Sequence, residues 1–212
     1  MKREVFLSLL LLPLMASSGC NKTSKVNEVP KGGGEMVEEK INLAGKKILM
    51  VVAPKDFRDE EFFEPKKIFS EAGAEVVVSS KGVLEATGLL GGKTRVDKDF
   101  SEVKATDFDA VLFVGGGGAE VYFDEPLALN LAKTAFAAGK VVGAICIAPT
   151  ILANADVLVG RQATAFPLEK DALEAKGATY TGEPVTVDGK IITARGPEAA
   201  AEFGQKIVEA LK

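Results

Sequence analysis

Short apolar runs alternate with amphipathic stretches along most of the chain, from about residue 41 onwards. The runs are rich in β-branched residues and have no polar face; they cover residues 47–53, 75–79, 109–114 and 141–145. This length and composition are typical of strands buried on both sides in a parallel sheet. Between and after them the pattern predicts helices over residues 60–72, 127–138, 149–154, 168–175 and 197–212.

Local signals define several element ends. Asp59 is predicted to be the N-cap of the first helix and Gly73 its C-cap. Glycines and mixed polarity over residues 81–94 predict short strands and turns, and Asp188-Gly189 predicts the turn of a hairpin. Strands that alternate with helices indicate a three-layer α/β sandwich of the flavodoxin-like kind, with a mostly parallel sheet covered on both faces.

The first 40 residues have a different character. Lys2 and Arg3 precede an apolar run over residues 5–16, which is too short to span a bilayer and suits the core of a signal peptide. The run leads to Ser18-Gly19-Cys20, which resembles a bacterial lipobox, although Ser17 stands where the lipobox pattern prefers leucine. The alternative is an ordinary secretory signal.

Under the lipobox interpretation, residues 1–19 are the signal peptide and Cys20 is the site of lipidation. Residues 20–40 are polar and glycine-rich, which is typical of a flexible tether, and residues 41–212 form the folded domain. We therefore expect a lipoprotein attached to a membrane of the bacterial cell envelope through Cys20, with Cys20 unable to pair with Cys146.

Composition excludes several classes of function. The net charge of −4 leaves no basic footprint, so we expect no nucleic-acid partner. The chain contains no histidine, which rules out Ser-His and Cys-His catalytic pairs within it and removes the commonest zinc ligand. We expect no metal and no cofactor.

Three segments are predicted to meet at one edge of the sheet, because the carboxyl ends of parallel strands lie together. They are the loop after Ala53, the glycine run of residues 115–118 and Cys146. Cys146 follows a strand and precedes a helix, so it resembles a nucleophile elbow. A helix N-terminus there would lower the cysteine pKa from about 8.5 into the range of roughly 3.5 to 7.5. The alternative is an inert buried cysteine.

Four segments resemble the ThiJ/PfpI superfamily, and together they extend the likeness over nearly all of residues 46–212. They are APKDFRDEEFFEP from Ala53, DFDAVLFVGG from Asp107, AICIAPTILANADVLVGRQATAFPLEKD from Ala144, and DGKIITARGPEAAAEFGQKIVEAL from Asp188. The FPLEKD and ARGP motifs are most similar to the branch that includes the Parkinsonism-associated protein deglycase. Members of this superfamily are commonly homodimers, so the resemblance implies that this chain forms a homodimer as well.

The resemblance also implies roles for individual residues. Cys146 matches the reactive cysteine, and Glu61 matches the glutamate that hydrogen-bonds to it. The backbone N–H groups of Gly116 and Ile147 match the donors that hold an oxyanion. Supporting positions are Gly115, Phe166 and Arg195.

Two departures from the family pattern bear on function. Ile147 stands where peptidase-like members have a histidine, and Phe166 stands where the deglycase branch has one. These departures argue against peptide hydrolysis. The expected function is cysteine-dependent, glyoxalase- or deglycase-like chemistry on a small reactive carbonyl. The alternatives are a redox module whose cysteine reacts with an oxidant to give a sulfinate, and a binding module without catalysis.

Overall fold

Seven strands form the central sheet of the computed structural model, which describes residues 41–212. Within that range, strands β1 to β12 span Lys47–Val51, Lys55–Phe57, Glu75–Ser80, Glu85–Gly88, Lys93–Arg95, Lys98–Asp99, Ala110–Phe113, Val141–Ile145, Gln162–Ala163, Thr179–Tyr180, Val185–Asp188 and Ile191–Ala194. Helices α1 to α5 span Asp59–Glu71, Pro126–Ala137, Pro149–Asn154, Lys170–Ala175 and Ala200–Leu211.

The strand order in the central sheet is β11-β12-β8-β7-β1-β3-β6. Every neighbouring pair is parallel except β11 and β12, which form the predicted hairpin. Separate small sheets are made by β2, β4 and β5 and by β9 and β10. The short strands β4 and β5 lie in the glycine-rich region where such strands are predicted. The flavodoxin-like, three-layer architecture predicted from the sequence is confirmed.

Alternate side chains of each central strand enter two different cores. On β1, Leu49 and Val51 belong to the core that includes residues of α2 and α3, whereas Ile48 and Met50 face the core formed with α1 and α5. A residue in a strand faces the opposite side from its neighbour, so a strand with apolar residues at every position fits only a sheet covered on both sides.

The start of α1 differs from the prediction. Arg58, not Asp59, occupies the N-cap position, and no side chain caps the helix there. Asp59 is the first helical residue, and its carboxylate accepts the N–H groups of Leu90 and Gly92, each at 2.7 Å. The side chain that would cap its own helix is thus used to hold the β4–β5 hairpin against α1.

The edge of the sheet that carries the candidate site lies at a reversal of strand order. The chain passes from β1 to β3 on one side and from β7 to β8 on the other, so β1 and β7 are neighbours whose following loops diverge. Such switch points form a crevice at the carboxyl ends of the strands. The loop before α1 and the glycine run after β7 both begin there.

The predicted signal peptide of residues 1–19, the tether of residues 20–40 and the lipidation site at Cys20 all lie outside the described residues. Between residues 41 and 212, no helix combines the length and hydropathy needed to cross a bilayer.

Candidate active site

Cys146 occupies a sharp turn between β8 and α3. Its backbone φ is +64°, in the left-handed region that side chains other than glycine rarely adopt. Its N–H donates to the carbonyl oxygen of Ala194 at 2.9 Å, and its own carbonyl oxygen accepts the N–H of Phe166 at 2.8 Å. Such a conformation costs on the order of 1–3 kcal/mol and persists only where neighbours hold it. The predicted elbow is therefore present in the structure.

Glycines allow the backbone after β7 to approach the cysteine. A Cβ atom at Gly115 would lie 2.5 Å from Glu61 Oε2 and 2.6 Å from Cys146 Cβ, so only glycine fits there. Gly116 has a φ of +89°, and a side chain on it would collide with the backbone of Arg58. The Arg58 N–H also donates to the Gly115 carbonyl oxygen at 3.0 Å, which joins the loop before α1 to this turn.

Glu61 lies in the first turn of α1 and is completely buried. Although acids in the first turn of a helix are commonly solvated, Glu61 is therefore not in contact with water. Neither carboxyl oxygen has a hydrogen-bond partner of good geometry among the described residues. Burial raises the pKa of Glu61 to about 8, although the Cys146 side chain, the Arg58 charge and the Gly115 backbone act to lower it. Glu61 therefore holds its proton at neutral pH.

The structure contradicts the expected low pKa of Cys146. Burial, followed by the charge that Glu61 carries when ionised, raises the pKa of the Cys146 thiol to about 12. The backbone groups of Gly116 and Ile147 act in the opposite direction, towards a lower pKa. Sequence reasoning considered the helix end but not the loss of water around the sulfur, which outweighs it.

Cys146 and Glu61 titrate as a pair because each charge opposes the other. While Glu61 keeps its proton, its charge does not act against the thiolate, and its O–H group can donate a hydrogen bond to the sulfur. The amides of Gly116 and Ile147 stabilise the same negative charge. The pair can thus supply a thiolate as a minor state at neutral pH, with an un-ionised acid beside it.

Arg58 is a neighbour that sequence reasoning missed. Its guanidinium binds Glu60 through Nε at 2.8 Å and Nη2 at 3.0 Å, and this hydrogen bond is the main cause that raises the pKa of Arg58. Its positive charge lowers the pKa of Glu61. The available signal was a basic residue immediately before the run of three acids that opens the helix.

The two remaining supporting residues lie on segments that contact the cysteine turn. The backbone of Phe166 bonds to Cys146, and the residue is 40% exposed. Arg195 follows Ala194 on the chain, and its guanidinium Nε donates to Glu198 Oε1 at 3.0 Å. The structure thus brings Cys146, Glu61, Gly115 and the backbone groups of Gly116 and Ile147 together, with Phe166 adjoining and Arg195 directed to its own ion pair.

No group of three or more His, Cys, Asp or Glu side chains is placed to hold an ion anywhere in residues 41–212.

The fold and the site together define a class of α/β proteins built around one cysteine. The features that define it are a mostly parallel sheet covered by helices, a cysteine on the elbow after β8, and a buried glutamate beside that cysteine. The chain belongs to the DJ-1/PfpI family, which matches residues 46–210. A ThiJ/PfpI domain protein from Brachyspira murdochii is 40% identical, with a TM-score of 0.77 over 79% of this chain and 98% of that one.

Two relatives carry names that refer to an activity. Deglycase PfpI of Pyrococcus furiosus is 34% identical over 166 residues, which cover 77% of this chain and 99% of the relative. The glutathione-independent glyoxalase DJR-1.2 of Caenorhabditis elegans is 29% identical over 169 residues, which cover 80% of this chain and 90% of the relative.

Proposed function

We propose that the protein is a cysteine-dependent enzyme acting on small reactive carbonyls, with glyoxalase- or deglycase-like chemistry. The observation that carries this proposal is the buried Cys146–Glu61 pair, a nucleophile beside a carboxyl that is protonated at neutral pH. The names of the deglycase and glyoxalase relatives support the same class of chemistry.

In the first step the Cys146 sulfur bonds to the aldehyde carbon of a compound such as methylglyoxal. The π electrons of the C=O bond move to the oxygen, which takes up the proton of the Glu61 carboxyl and gives a hemithioacetal; the proton of the thiol has passed to water. The N–H groups of Gly116 and Ile147 stabilise the charge as it develops on this oxygen.

In the second step Glu61 acts as a proton shuttle. Its carboxylate, which has given its own proton to the aldehyde oxygen, removes the proton on the former aldehyde carbon. The carboxyl then returns this proton to the neighbouring carbonyl carbon while the hydroxyl proton passes to the neighbouring oxygen, which gives the thioester of a hydroxy acid. Water then cleaves the thioester, which releases the hydroxy acid and returns the Cys146 thiol, and Glu61 regains a proton from water. The balance over the cycle is one dicarbonyl and one water consumed for one hydroxy acid formed.

The test is methylglyoxal consumption by the wild-type chain, Cys146→Ala and Glu61→Gln, with Cys20→Ser as the control that removes only the other cysteine. We expect Cys146→Ala to abolish turnover and Glu61→Gln to lower it at least 100-fold, as is typical for loss of a proton-transfer group. Equal rates for the wild type and Cys146→Ala would exclude the proposal.

A redox function is the second candidate. The lack of any histidine favours it, because no imidazole is present to act as the acid or base of a catalytic cycle. The Cys146 thiolate would attack a peroxide, forming a sulfenate and releasing water or an alcohol; a second equivalent would give a sulfinate. Intact mass measurement after mild peroxide treatment should then show two added oxygens on Cys146, with a yield that Glu61→Leu changes. An unmodified Cys146 would exclude this function.

Peptide hydrolysis is not proposed. Cleavage of an amide needs a group that protonates the leaving amine, and histidine, which supplies that proton in cysteine peptidases, is absent from the whole chain.

We further propose that the protein is a lipoprotein of the cell envelope and forms homodimers, which are expectations from its sequence. Expression of the full chain with a radioactive fatty acid should label the wild type and not Cys20→Ser. Sedimentation of the detergent-solubilised protein should give twice the monomer mass. An unlabelled wild type would contradict the first proposal, and a monomer would contradict the second.

A further inference from the structure

One loop beside Cys146, residues 164–169, is fixed to the site by hydrogen bonds at both ends. The Phe166 N–H donates to the carbonyl oxygen of Cys146 at 2.8 Å. Three residues later, Glu169 Oε2 accepts the hydroxyl of the buried Thr150, on α3, at 2.7 Å. The loop is thus attached to the cysteine turn and also to the helix that follows it.

Further bonds hold the first two residues of this loop. The Thr164 N–H donates to Thr193 Oγ1 at 2.9 Å, and Thr164 itself is completely buried. The carbonyl oxygen of Ala165 accepts the hydroxyl of Tyr180 at 3.0 Å. Backbone positions held in this way keep the loop beside the cysteine turn.

Two side chains of this loop are apolar and belong to neither hydrophobic core. Phe166 is 40% exposed and Leu168 is 83% exposed, although their backbone is fixed. Ligand sites are lined predominantly by apolar side chains, so exposed apolar residues on a segment bonded to the cysteine turn are candidates to contact a ligand.

The arginines nearest the site are already neutralised. Arg58 is bound by Glu60 through two hydrogen bonds, and Arg195 is bound by Glu198. A carboxylate on the substrate would therefore have to displace one of these acids, whereas an apolar substituent would meet Phe166 without such a cost.

We propose that Phe166 and Leu168 form an apolar wall that selects carbonyl compounds with an apolar substituent, over small or anionic ones. The natural substrates named by this proposal are α-oxoaldehydes with an apolar group next to the carbonyl. In naming them, the proposal rests on the proposed function. Phe166 is the main specificity determinant because it adjoins Cys146 directly.

The test compares kcat/KM for phenylglyoxal, methylglyoxal and glyoxylate in the full chain. We expect Phe166→Ala to lower the phenylglyoxal-to-methylglyoxal ratio about tenfold, the scale of discrimination that an apolar contact provides. Phe166→Leu should restore most of the ratio. The control is Leu84→Ala, an exposed apolar residue before β4 that makes no bond to the cysteine turn, and it should leave the ratio unchanged.

A second measurement keeps this proposal separate from the proposed function. Alkylation of Cys146 by iodo-N-phenylacetamide, iodoacetamide and iodoacetate needs no turnover. The wild type should favour the phenyl reagent over the other two, and Phe166→Ala should reduce that preference about tenfold. Absence of turnover with every aldehyde would exclude the proposed function alone. An alkylation preference that is the same in Phe166→Ala and the wild type would overturn the apolar wall.

Discussion

At the scale of single residues, the chemistry of Cys146 depends on the exclusion of water by its neighbours. Burial raises the pKa of both Cys146 and Glu61, so neither group is ionised for most of the time at neutral pH. Because Glu61 is un-ionised, no second negative charge repels the Cys146 thiolate. Gly115 has no side chain, so its backbone, the cysteine and the carboxyl can lie close together. Reactivity therefore depends on dense packing as much as on the cysteine itself.

Gly115→Ala tests that packing. Its Cβ atom would meet Glu61 Oε2 at 2.5 Å, so we expect a loss of about 1–3 kcal/mol in the free energy of unfolding and at least a tenfold slower alkylation of Cys146. The control is Gly117→Ala, because nothing lies within 4 Å of a Cβ atom there. Urea unfolding and alkylation rates check both variants. Wild-type behaviour of Gly115→Ala would show that the close approach has no consequence.

At the scale of elements, the sequence predicted most of the fold because its strands are uniformly apolar and its helices are amphipathic. The strand Val141–Ile145 and the helix Pro149–Asn154 have their predicted bounds. Helix α1 shows what a local rule leaves out. Asp59 satisfies the composition of an N-cap, yet its carboxylate bonds to a hairpin more than 30 residues away, which no local pattern could reveal.

The candidate site was only partly accessible to sequence reasoning, for the same reason. The strand–cysteine–helix pattern made Cys146 a candidate from its own neighbours, with an inert buried cysteine as the alternative. Glu61 is distant in the sequence and resembles any acid in a first helical turn, so only the family resemblance identified it. The effect of burial on both pKa values depends on the packing of several segments, which the sequence does not show.

The link between α1 and the β4–β5 hairpin can be tested through Asp59. Asp59→Asn replaces one acceptor oxygen by an amide, so we expect a loss of about 2–3 kcal/mol in stability, since hydrogen bonds to charged groups are among the stronger ones. Hydrogen exchange of the Leu90 and Gly92 amides should become at least tenfold faster. The control is Glu64→Gln, an exposed change in the same helix. Continued protection of both amides in Asp59→Asn would contradict this account of the hairpin.

At the scale of the whole molecule, the buried acid makes stability depend on pH. The unfolded chain ionises Glu61 near its ordinary pKa of 4.5, whereas the folded chain retains the proton up to about pH 8. Between these values the folded state binds more protons, so its stability falls as pH rises. The difference corresponds to roughly 4–5 kcal/mol lost between pH 4.5 and 8.

Glu61→Gln should remove this dependence because the amide does not titrate. We expect urea unfolding to show the variant close to the wild type at pH 4 and more stable than the wild type at pH 8. Glu64→Gln should keep the wild-type pH dependence. If the difference in stability between the wild type and Glu61→Gln is the same at both pH values, Glu61 does not hold a proton through this range.

Infrared spectroscopy measures the protonation state of Glu61 directly. The spectrum of the wild type minus that of Glu61→Gln isolates the carboxyl group of this one residue. At pH 7 we expect the C=O stretch of a protonated carboxyl, which carboxylate bands replace with a midpoint near pH 8. Carboxylate bands already present at pH 6 would contradict this expectation, because an ionised Glu61 would oppose the Cys146 thiolate on which the proposed chemistry depends.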